Sequence, residues 1–431
     1  MRKIAFNQSK RGNSRRDGGI LPQAGIKQEP KSGFEPVLGF LSATGISIGG
    51  IIGSGIFFVI GIATGEAGPA VLLSLCLAGV VAILTSLSFA SLGSRIVREG
   101  GEYQFVYLML GRTVGFFGGL LWVFSTAIAA VTVSIAFVSY LNVVLPIPSV
   151  SVFAALSCLS FMLIDLFGIR LSSKINGALV ILKVGVILFF IVVGLPFVNL
   201  EHFQPFLTKG VGGTLSATFL IFFAYAGFGK IAAASEEVRN ARKNVPRAII
   251  VAVVVCTILY VLSGFVAVGV AGANRLSSTQ YMAAPFSYVM LSTGIGPAFF
   301  IVTAGAIAAT ASVLLIQMLG LSRTLYAMSA NGQLPAFLSD LHSRFRTPYK
   351  AEILMGLVMA AFALLLKTNS VVSLTSLGIL SYYALINLAA LRIKYDGRRI
   401  SVRRVISALG LLACVGLILY YFLGSVQFGS A

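Results

Sequence analysis

The sequence predicts an all-α membrane protein with about eleven spans, and three observations support this fold class. The chain is 57% hydrophobic and only 10% charged, whereas an ordinary soluble domain is about 25% charged. Apolar runs of about 20 residues, the length that crosses a bilayer, recur along the chain. Two of these runs are interrupted by glycines in matching positions. We therefore expect two five-helix halves in a ten-helix core, with discontinuous first and sixth helices and one extra C-terminal helix.

The expected spans divide the chain into four segments. These are a basic tail at 1–38, a first five-helix repeat at 39–200, a second at 201–395, and an eleventh helix with its tail at 396–431. Because five is odd, the two repeats insert in opposite directions and form an inverted repeat. The eighth span is long enough to tilt or to extend beyond the bilayer. The eleven spans are 39–62, 69–94, 114–141, 150–169, 175–198, 214–237, 247–271, 296–328, 350–367, 371–393 and 404–426.

The net charge of +19 is unevenly distributed. Basic residues cluster in the N-terminal tail, at 239–247 after span six and at 392–404 between spans ten and eleven, whereas the alternate side carries only Lys209, Arg275 and Lys367. Positively charged loops stay cytoplasmic, so we expect a cytoplasmic N-terminus and an extracellular C-terminus in the cell membrane. The charge thus predicts topology, with some attraction to anionic lipid, and not binding to nucleic acid.

The sequence gives little indication of enzyme chemistry. All four cysteines lie within apolar spans without a CxxC pair, and both histidines lie in connections. No HExxH or Walker motif is present. The first 38 residues have neither an apolar core nor a small-residue cleavage site, so we interpret them as a cytosolic tail and not a signal peptide. We expect no metal, no cofactor and no enzymatic activity.

The stretch "GGIIGSGIF" at 49–57 places several glycines in the middle of the first span. Gly45, Gly49 and Gly53 are spaced by four residues, which is typical of a small-residue stripe for close helix packing. That interpretation does not extend to Gly53 together with Gly55, because residues two apart face different sides of a helix. The Gly-Ser-Gly triplet instead predicts an unwound turn, whose free amides attract an anion such as a carboxylate.

A second interruption lies in span six, where "FFAYAGFGK" at 222–230 places Gly227 and Gly229 two residues apart. Spans one and six occupy corresponding positions of the two halves. Paired glycine-interrupted helices in such positions indicate the substrate site of a secondary transporter. The sequence therefore predicts that both helices are broken so that their backbones can hold a substrate.

Five motifs in order resemble the amino acid–polyamine–organocation (APC) family of permeases. The resemblance covers about residues 36–395 and implies amino acid transport by alternating access between outward-open and inward-open states. The motifs are "GGIIGSGIF", "EGGEYQFVYLMLG" at 99–111 before span three, "FFAYAGFG", "SEEVRNARKNVPRAI" at 235–249, and "SRTLYAMSANGQLPAFLSDLHSRFRTPYKA" at 322–351.

The resemblance also implies a substrate site formed by the backbone. Amides of the first break hold the α-carboxylate: Ile52, Gly53, Ser54 and Gly55. Carbonyls of the second break hold the α-amino group: Phe223, Ala224 and Ala226. Phe223 or Tyr225 closes over the site as an aromatic gate. Many relatives have an acidic residue after "GF" in helix six, where this chain has Gly229 and Lys230, so these two positions are candidates for substrate specificity.

Lys183 lies deep in span five, within "NGALVILKVGVILFF". A lysine at the centre of a span costs about 2.5–3.5 kcal/mol on insertion scales, so it normally has a function. In many APC members a fifth-helix lysine takes the place of a sodium ion, which implies that Lys183 donates to carbonyls near Gly49 and Gly50. The resemblance also implies a contact with a hydroxyl of the eighth span, Thr310 or Ser312.

We therefore expect a sodium-independent amino acid transporter that is coupled to protons, as a monomer or homodimer. An exchanger or a polyamine transporter of the same fold remains the alternative. A channel would require rings of charge or a carbonyl filter motif, which the sequence lacks. A membrane enzyme would require the catalytic motifs that are missing.

Overall fold

The computed structural model describes residues 38–53, 55–96, 101–167, 173–233, 238–343, 345, 347–393 and 402–428. Within these ranges the chain is helical, and the extended pairing is confined to an isolated bridge between Leu38 and Val238. The helices before residue 200 are α1 (Phe40–Ile51), α2 (Ile60–Ala67), α3 (Val71–Gly93), α4 (Gly101–Leu110), α5 (Arg112–Asn142), α6 (Val150–Leu166) and α7 (Ser173–Gly194).

The remaining helices follow in the same pattern of a broken helix and longer ones. They are α8 (Gly210–Tyr225), α9 (Lys230–Ala233), α10 (Ala241–Ala271), α11 (Ala273–Leu276), α12 (Thr279–Ala283), α13 (Pro285–Ser292), α14 (Gly296–Ala330), α15 (Tyr349–Leu365), α16 (Thr368–Leu391) and α17 (Val402–Phe428).

Each of the eleven expected spans coincides with a helix or with an interrupted helix, which confirms the polytopic all-α fold. Within the described ranges, seven helical stretches are long and apolar enough to cross a membrane. The apolar helices α6 and α8 are shorter, and α8 is short because it is one part of a broken helix. The 35 residues of α14 extend about 52 Å, more than the roughly 30 Å hydrocarbon core.

The helices of the two halves pack reciprocally. The first helix of each half packs against the second helix of the other, since α1 contacts α10 and α8 contacts α3. Likewise α3 contacts α10, α5 contacts α14 and α6 contacts α15. A pseudo-two-fold relation between the halves requires this pairing. The boundaries of the repeats at 39–200 and 201–395 stay a prediction.

Buried hydroxyl groups in the spans are satisfied mostly within their own helix. Thr64 donates to the carbonyl oxygen of Ile60 at 2.7 Å, and Thr218 donates to that of Thr214 at 2.8 Å. A hydroxyl one turn along a helix can reach this carbonyl, so a threonine enters an apolar span without leaving its polar atom unpaired. Buried polar atoms that do not follow this rule therefore mark unusual positions.

Candidate functional site

The first break separates α1 from α2. The α-helix ends at Ile51, and Ile52 is extended, with φ −70° and ψ 106°, while its N–H still donates to the carbonyl of Ile48 at 2.8 Å. The chain bends at Gly53 and resumes as a π-helical turn at Gly55–Val59. Ser54 lies outside the described residues. The helical hydrogen-bond ladder is thus interrupted where the glycine pattern predicts.

The second break separates α8 from α9. The helix ends at Tyr225, Ala226 is extended with φ −62° and ψ 148°, and Gly227 has φ +106°. L side chains rarely adopt such a positive φ, so the turn favours glycine. The helix resumes at Lys230, whose N–H donates to the carbonyl of Gly227 at 3.2 Å.

The two breaks touch each other backbone to backbone. A Cβ atom on Gly50 would stand 2.7 Å from the carbonyl oxygen of Gly227, and a Cβ on Gly227 would collide with the carbonyl of Gly50. A Cβ on Gly55 would collide with Cα and Cβ of Ala224. The glycines of both helices are therefore required for close approach as well as for the breaks.

A tyrosine from α10 joins the two broken helices. The Tyr260 hydroxyl is fully buried and lies 3.0 Å from the carbonyl of Ile51 and 3.1 Å from the carbonyl of Ala224. Both carbonyls lie at the end of a helix that stops short, so helical partners for them are lost at the breaks. A hydroxyl has a single proton to donate, so the two carbonyls share it.

A pocket lies beside the breaks. Its walls come from both breaks and from one face each of α5, α14 and α16. The lining residues are Gly50, Ile51, Gly53, Gly55, Trp122, Thr126, Ala129, Phe223, Ala226, Gly227, Lys230, Val313, Gln317 and Ile379.

Some of the predicted site residues line this pocket, whereas others do not. Those in the lining are Gly50, Gly53, Gly55, Phe223, Ala226 and Lys230. Tyr225 instead faces α3, because its hydroxyl donates to the carbonyl of Leu75 at 2.9 Å. The carbonyl of Ala224 already accepts from Tyr260, and Ile52 is fully buried.

Lys183 lies against the first break with only 1% of its surface exposed. Its ammonium donates to the carbonyl oxygen of Gly49 at 3.1 Å. The hydroxyl of Thr310 donates to Ala306 at 2.8 Å, and the hydroxyl of Ser312 likewise donates one turn back within α14. Lys183 thus contacts the helix that breaks, whereas these two hydroxyls bond within their own helix.

Lys230 does not extend out of the bundle to water. Its Cδ lies 3.1 Å from the position that a Cβ on Gly50 would take, so its stem forms part of the pocket wall. Its ammonium is buried and has no hydrogen-bond partner among the described residues.

The charge that faces Lys230 comes from α4 and not from helix six. A Cβ on Gly229 would collide with the carboxyl oxygen of Glu102, so Glu102 occupies the space next to that glycine. Glu102 is 5% exposed, and neither of its carboxyl oxygens has a hydrogen-bond partner among the described residues. Burial raises the pKa of this carboxyl above its ordinary value, and the neighbouring Lys230 opposes that shift.

Six pocket residues lie outside the motifs and the candidate residues taken from the sequence. They are Trp122, Thr126 and Ala129 of α5, Val313 and Gln317 of α14, and Ile379 of α16. Gln317 carries the one available indication, because a polar amide inside an apolar span is unusual. The buried atoms Thr126 Oγ1 and Gln317 Oε1 have no hydrogen-bond partner among the described residues.

Comparison with known proteins identifies the family of this chain. Residues 38–431 match the model of the family described as amino acid permease. The branched-chain amino acid permease BcaP of Bacillus subtilis is 32% identical over 376 residues, 82% of this chain and 80% of that protein. The methylthioribose transporter of the same bacterium is 30% identical over 383 residues, 84% of this chain and 82% of that protein.

A human relative extends the comparison beyond bacteria. Cationic amino acid transporter 4 of Homo sapiens is 30% identical over 386 residues, 83% of this chain and 60% of that protein. These relatives are transporters and not enzymes, in agreement with a multi-pass helical chain that has a pocket between two broken helices. The chain belongs to the amino acid permease family of membrane transport proteins.

Proposed function

We propose that this protein is a secondary active transporter that moves an amino acid across the cell membrane by alternating access. The observation that carries this proposal is the pocket at the meeting point of two interrupted helices. Interrupted helices expose amides and carbonyls where they line a cavity, and this arrangement suits the two charged ends of an amino acid. Membership of the permease family supports the same function.

The substrate backbone is held by the two breaks in this proposal. Amides after Ile52 receive the α-carboxylate, which assigns that role to Gly53, Ser54 and Gly55, because the Ile52 N–H already donates to the carbonyl of Ile48. Carbonyls of Phe223 and Ala226 receive the α-amino group, and the carbonyl of Ala224 contributes the lone pair that Tyr260 does not use. Phe223 is the aromatic gate, because it lines the pocket and Tyr225 faces α3.

Lys183 supplies the coupling in place of a sodium ion. Its ammonium binds the carbonyl of Gly49, three residues before the first break begins. A movement of α1 relative to α7 therefore changes the surroundings of this ammonium. Proton binding and the conformation of the broken helix are coupled through that contact, so transport is sodium-independent and linked to protons. Thr310 and Ser312 lie on α14, and their hydroxyl oxygens can accept from the ammonium while they donate to carbonyls of their own helix.

The direction of insertion follows from the basic connections. Arg239, Arg242 and Lys243 are exposed or partly exposed at the start of α10. We assign this end to the cytoplasm, with the N-terminus on the same side and the C-terminus outside.

The proposed function is tested by uptake into proteoliposomes that contain the full chain. We expect saturable uptake that is equal in sodium and choline buffers, increases with an inside-alkaline pH gradient, and is stimulated by internal substrate. Lys183→Met is expected to lose uptake while it still reaches the membrane, and Lys367→Met, a change at an exposed lysine, serves as the matched control. Sodium-dependent uptake, or a Lys183→Met variant with the normal rate and pH profile, removes Lys183 from the mechanism.

A further inference from the structure

We propose that the substrate is an amino acid whose side chain ends in a carboxylate or a carboxamide. This inference rests on the proposed function and names the substrate class of the same pocket. The contacts that carry it come from α5, α14 and α9, outside the residues assigned to the substrate backbone.

Two of the helices that line the pocket present polar atoms that have no partner among the described residues. Thr126 of α5 lines the pocket, but its hydroxyl lacks the bond to its own helix that Thr64 and Thr218 make. Gln317 of α14 is 8% exposed, and its Oε1 is also without a partner among the described residues. Buried polar groups are normally satisfied, so two such atoms in one lining indicate a ligand that pairs with them.

Lys230 adds a donor and a positive charge to the same wall. Its ammonium lacks a hydrogen-bond partner among the described residues, and Lys230 is the charged residue of the pocket lining. Glu102 is the described carboxyl that faces it, and burial disfavours the ionised form of that carboxyl. A cationic side chain would therefore meet like charge in this wall, whereas an anionic or oxygen-bearing side chain gains a donor.

An apolar side chain fits these walls poorly for a different reason. It would leave buried polar atoms of Thr126, Gln317 and Lys230 without partners, and each unpaired polar group has a cost. A terminal carboxylate accepts from both Lys230 and Thr126 and, with the Gln317 amide rotated so that its NH₂ group faces the ligand, from Gln317 as well. A terminal carboxamide accepts from Lys230 and Thr126 with its oxygen and donates with its nitrogen to the oxygen of Gln317.

The side-chain part of the pocket thus predicts a substrate class that differs from those in the names of two relatives. One relative is named as a branched-chain amino acid permease and another as a cationic amino acid transporter. The backbone part of the site is compatible with any amino acid. The side-chain part is polar and carries a lysine, so leucine and arginine are both expected to be poor substrates of this chain.

The first experiment compares uptake of eight radiolabelled amino acids by the full-length protein in proteoliposomes. We expect glutamate, aspartate, glutamine or asparagine to exceed leucine, isoleucine, lysine and arginine about tenfold in uptake efficiency, since one unpaired polar group has an effect of that order. A preference for the acids identifies the carboxylate, and a preference for the amides identifies the carboxamide. Preferential uptake of leucine or arginine overturns the inference but leaves the proposed function standing. Saturable uptake of no amino acid overturns both.

The second experiment removes the polar atoms one at a time. Gln317→Leu and Thr126→Val should each weaken uptake of the preferred substrate about tenfold in apparent affinity and leave or improve that of leucine. Thr324→Val is the matched control, because Thr324 is on α14, outside the lining, and its hydroxyl bonds to Gly320 within the helix. An equal loss for the preferred substrate and for leucine contradicts a role in side-chain recognition.

Lys230 needs a variant that does not leave Glu102 without its neighbour. We therefore pair Lys230→Met with the double variant Lys230→Met/Glu102→Gln, which removes both charges. If Lys230 recognises the substrate, both variants lose discrimination between glutamate and leucine. If the double variant keeps full discrimination, Lys230 serves the fold alone and the inference loses its charged contact.

Discussion

At the scale of single residues, the three glycines Gly45, Gly49 and Gly53 do not form one packing stripe. A Cβ on Gly45 would meet no neighbouring atom, a Cβ on Gly49 would approach Val180 of α7, and a Cβ on Gly53 would lie 2.8 Å from Val313 of α14. Gly55 is different again, because it lies directly on the backbone of Ala224. Glycines that are similarly spaced in the sequence thus have different steric surroundings.

This difference predicts unequal effects of the same substitution. Gly55→Ala forces the π-helical turn away from α8, so we expect a stability loss of about 1–3 kcal/mol, typical of overpacking, together with loss of transport. Gly45→Ala places a methyl group in open space and adds helix propensity, so it should be neutral or slightly stabilising. Thermal unfolding in detergent and uptake in proteoliposomes measure both effects. Equal melting temperatures for the two variants would contradict the close approach at Gly55.

At the scale of elements, the two interrupted helices form one unit through α10. Tyr260 bridges the end of α1 and the end of α8, and its ring packs edge-on against Tyr225 at a centroid distance of 5.2 Å. Because both carbonyls share one hydroxyl proton, a change at either break alters the hydrogen bond at the other. Tyr260 is therefore a positioning residue for the broken helices.

Removal of this hydroxyl should affect transport more than expression. In Tyr260→Phe two carbonyls lose their shared donor, which we expect to cost about 1–3 kcal/mol and to lower the uptake rate. Tyr382→Phe is the matched control, since the buried Tyr382 hydroxyl has no hydrogen-bond partner among the described residues. Melting temperature and uptake are measured side by side. A Tyr260→Phe protein with normal stability and rate would show that the bridge has no role.

At the scale of the whole molecule, the basic connections predict the orientation of the protein in the membrane, and the pocket predicts what it binds. These two parts of the molecule are spatially separate. The basic residues at 239–247 lie at the start of α10, and they are outside the pocket lining. The lining contains one lysine and otherwise uncharged residues. Changes in the basic connection should consequently alter insertion without a change in affinity.

Neutralising the basic residues at 239–247 tests whether orientation and substrate binding are determined by separate parts of the molecule. The variant replaces Arg239, Arg242, Lys243 and Arg247 with glutamine and should lower expression or mix the two orientations, because the positive residues that retain the loop are lost. Reporters fused to the C-terminus distinguish inside from outside. The matched control replaces Lys209, Arg275 and Lys367 on the alternate side and should keep a single orientation. A large change in apparent affinity with normal orientation would contradict the proposed role of the basic loop.

The sequence alone predicts the spans and both breaks, because bilayer thickness sets helix length and the glycine pairs mark the interruptions. It does not predict that Phe223 lines the pocket and Tyr225 faces α3, since the rotation of α8 is set by tertiary packing. The sequence also does not predict that Thr126 and Gln317 line the same pocket, because the crossing of α5 and α14 determines which helix faces meet. The contact of Glu102 with Gly229 is equally non-local.

The backbone contact of Gly50 with Gly227 has a consequence for protein engineering. A methyl group at either position would collide with the main chain of the other helix, so neither glycine can be substituted, whichever substrate is chosen. A change of substrate therefore requires that this contact between the two helices stays unaltered and that side chains in the pocket walls are substituted. Thr126, Gln317 and Ile379 each lie on long, regular helices, where a side chain can be exchanged without rebuilding a turn. Libraries confined to those three positions should yield changed selectivity with the fold retained.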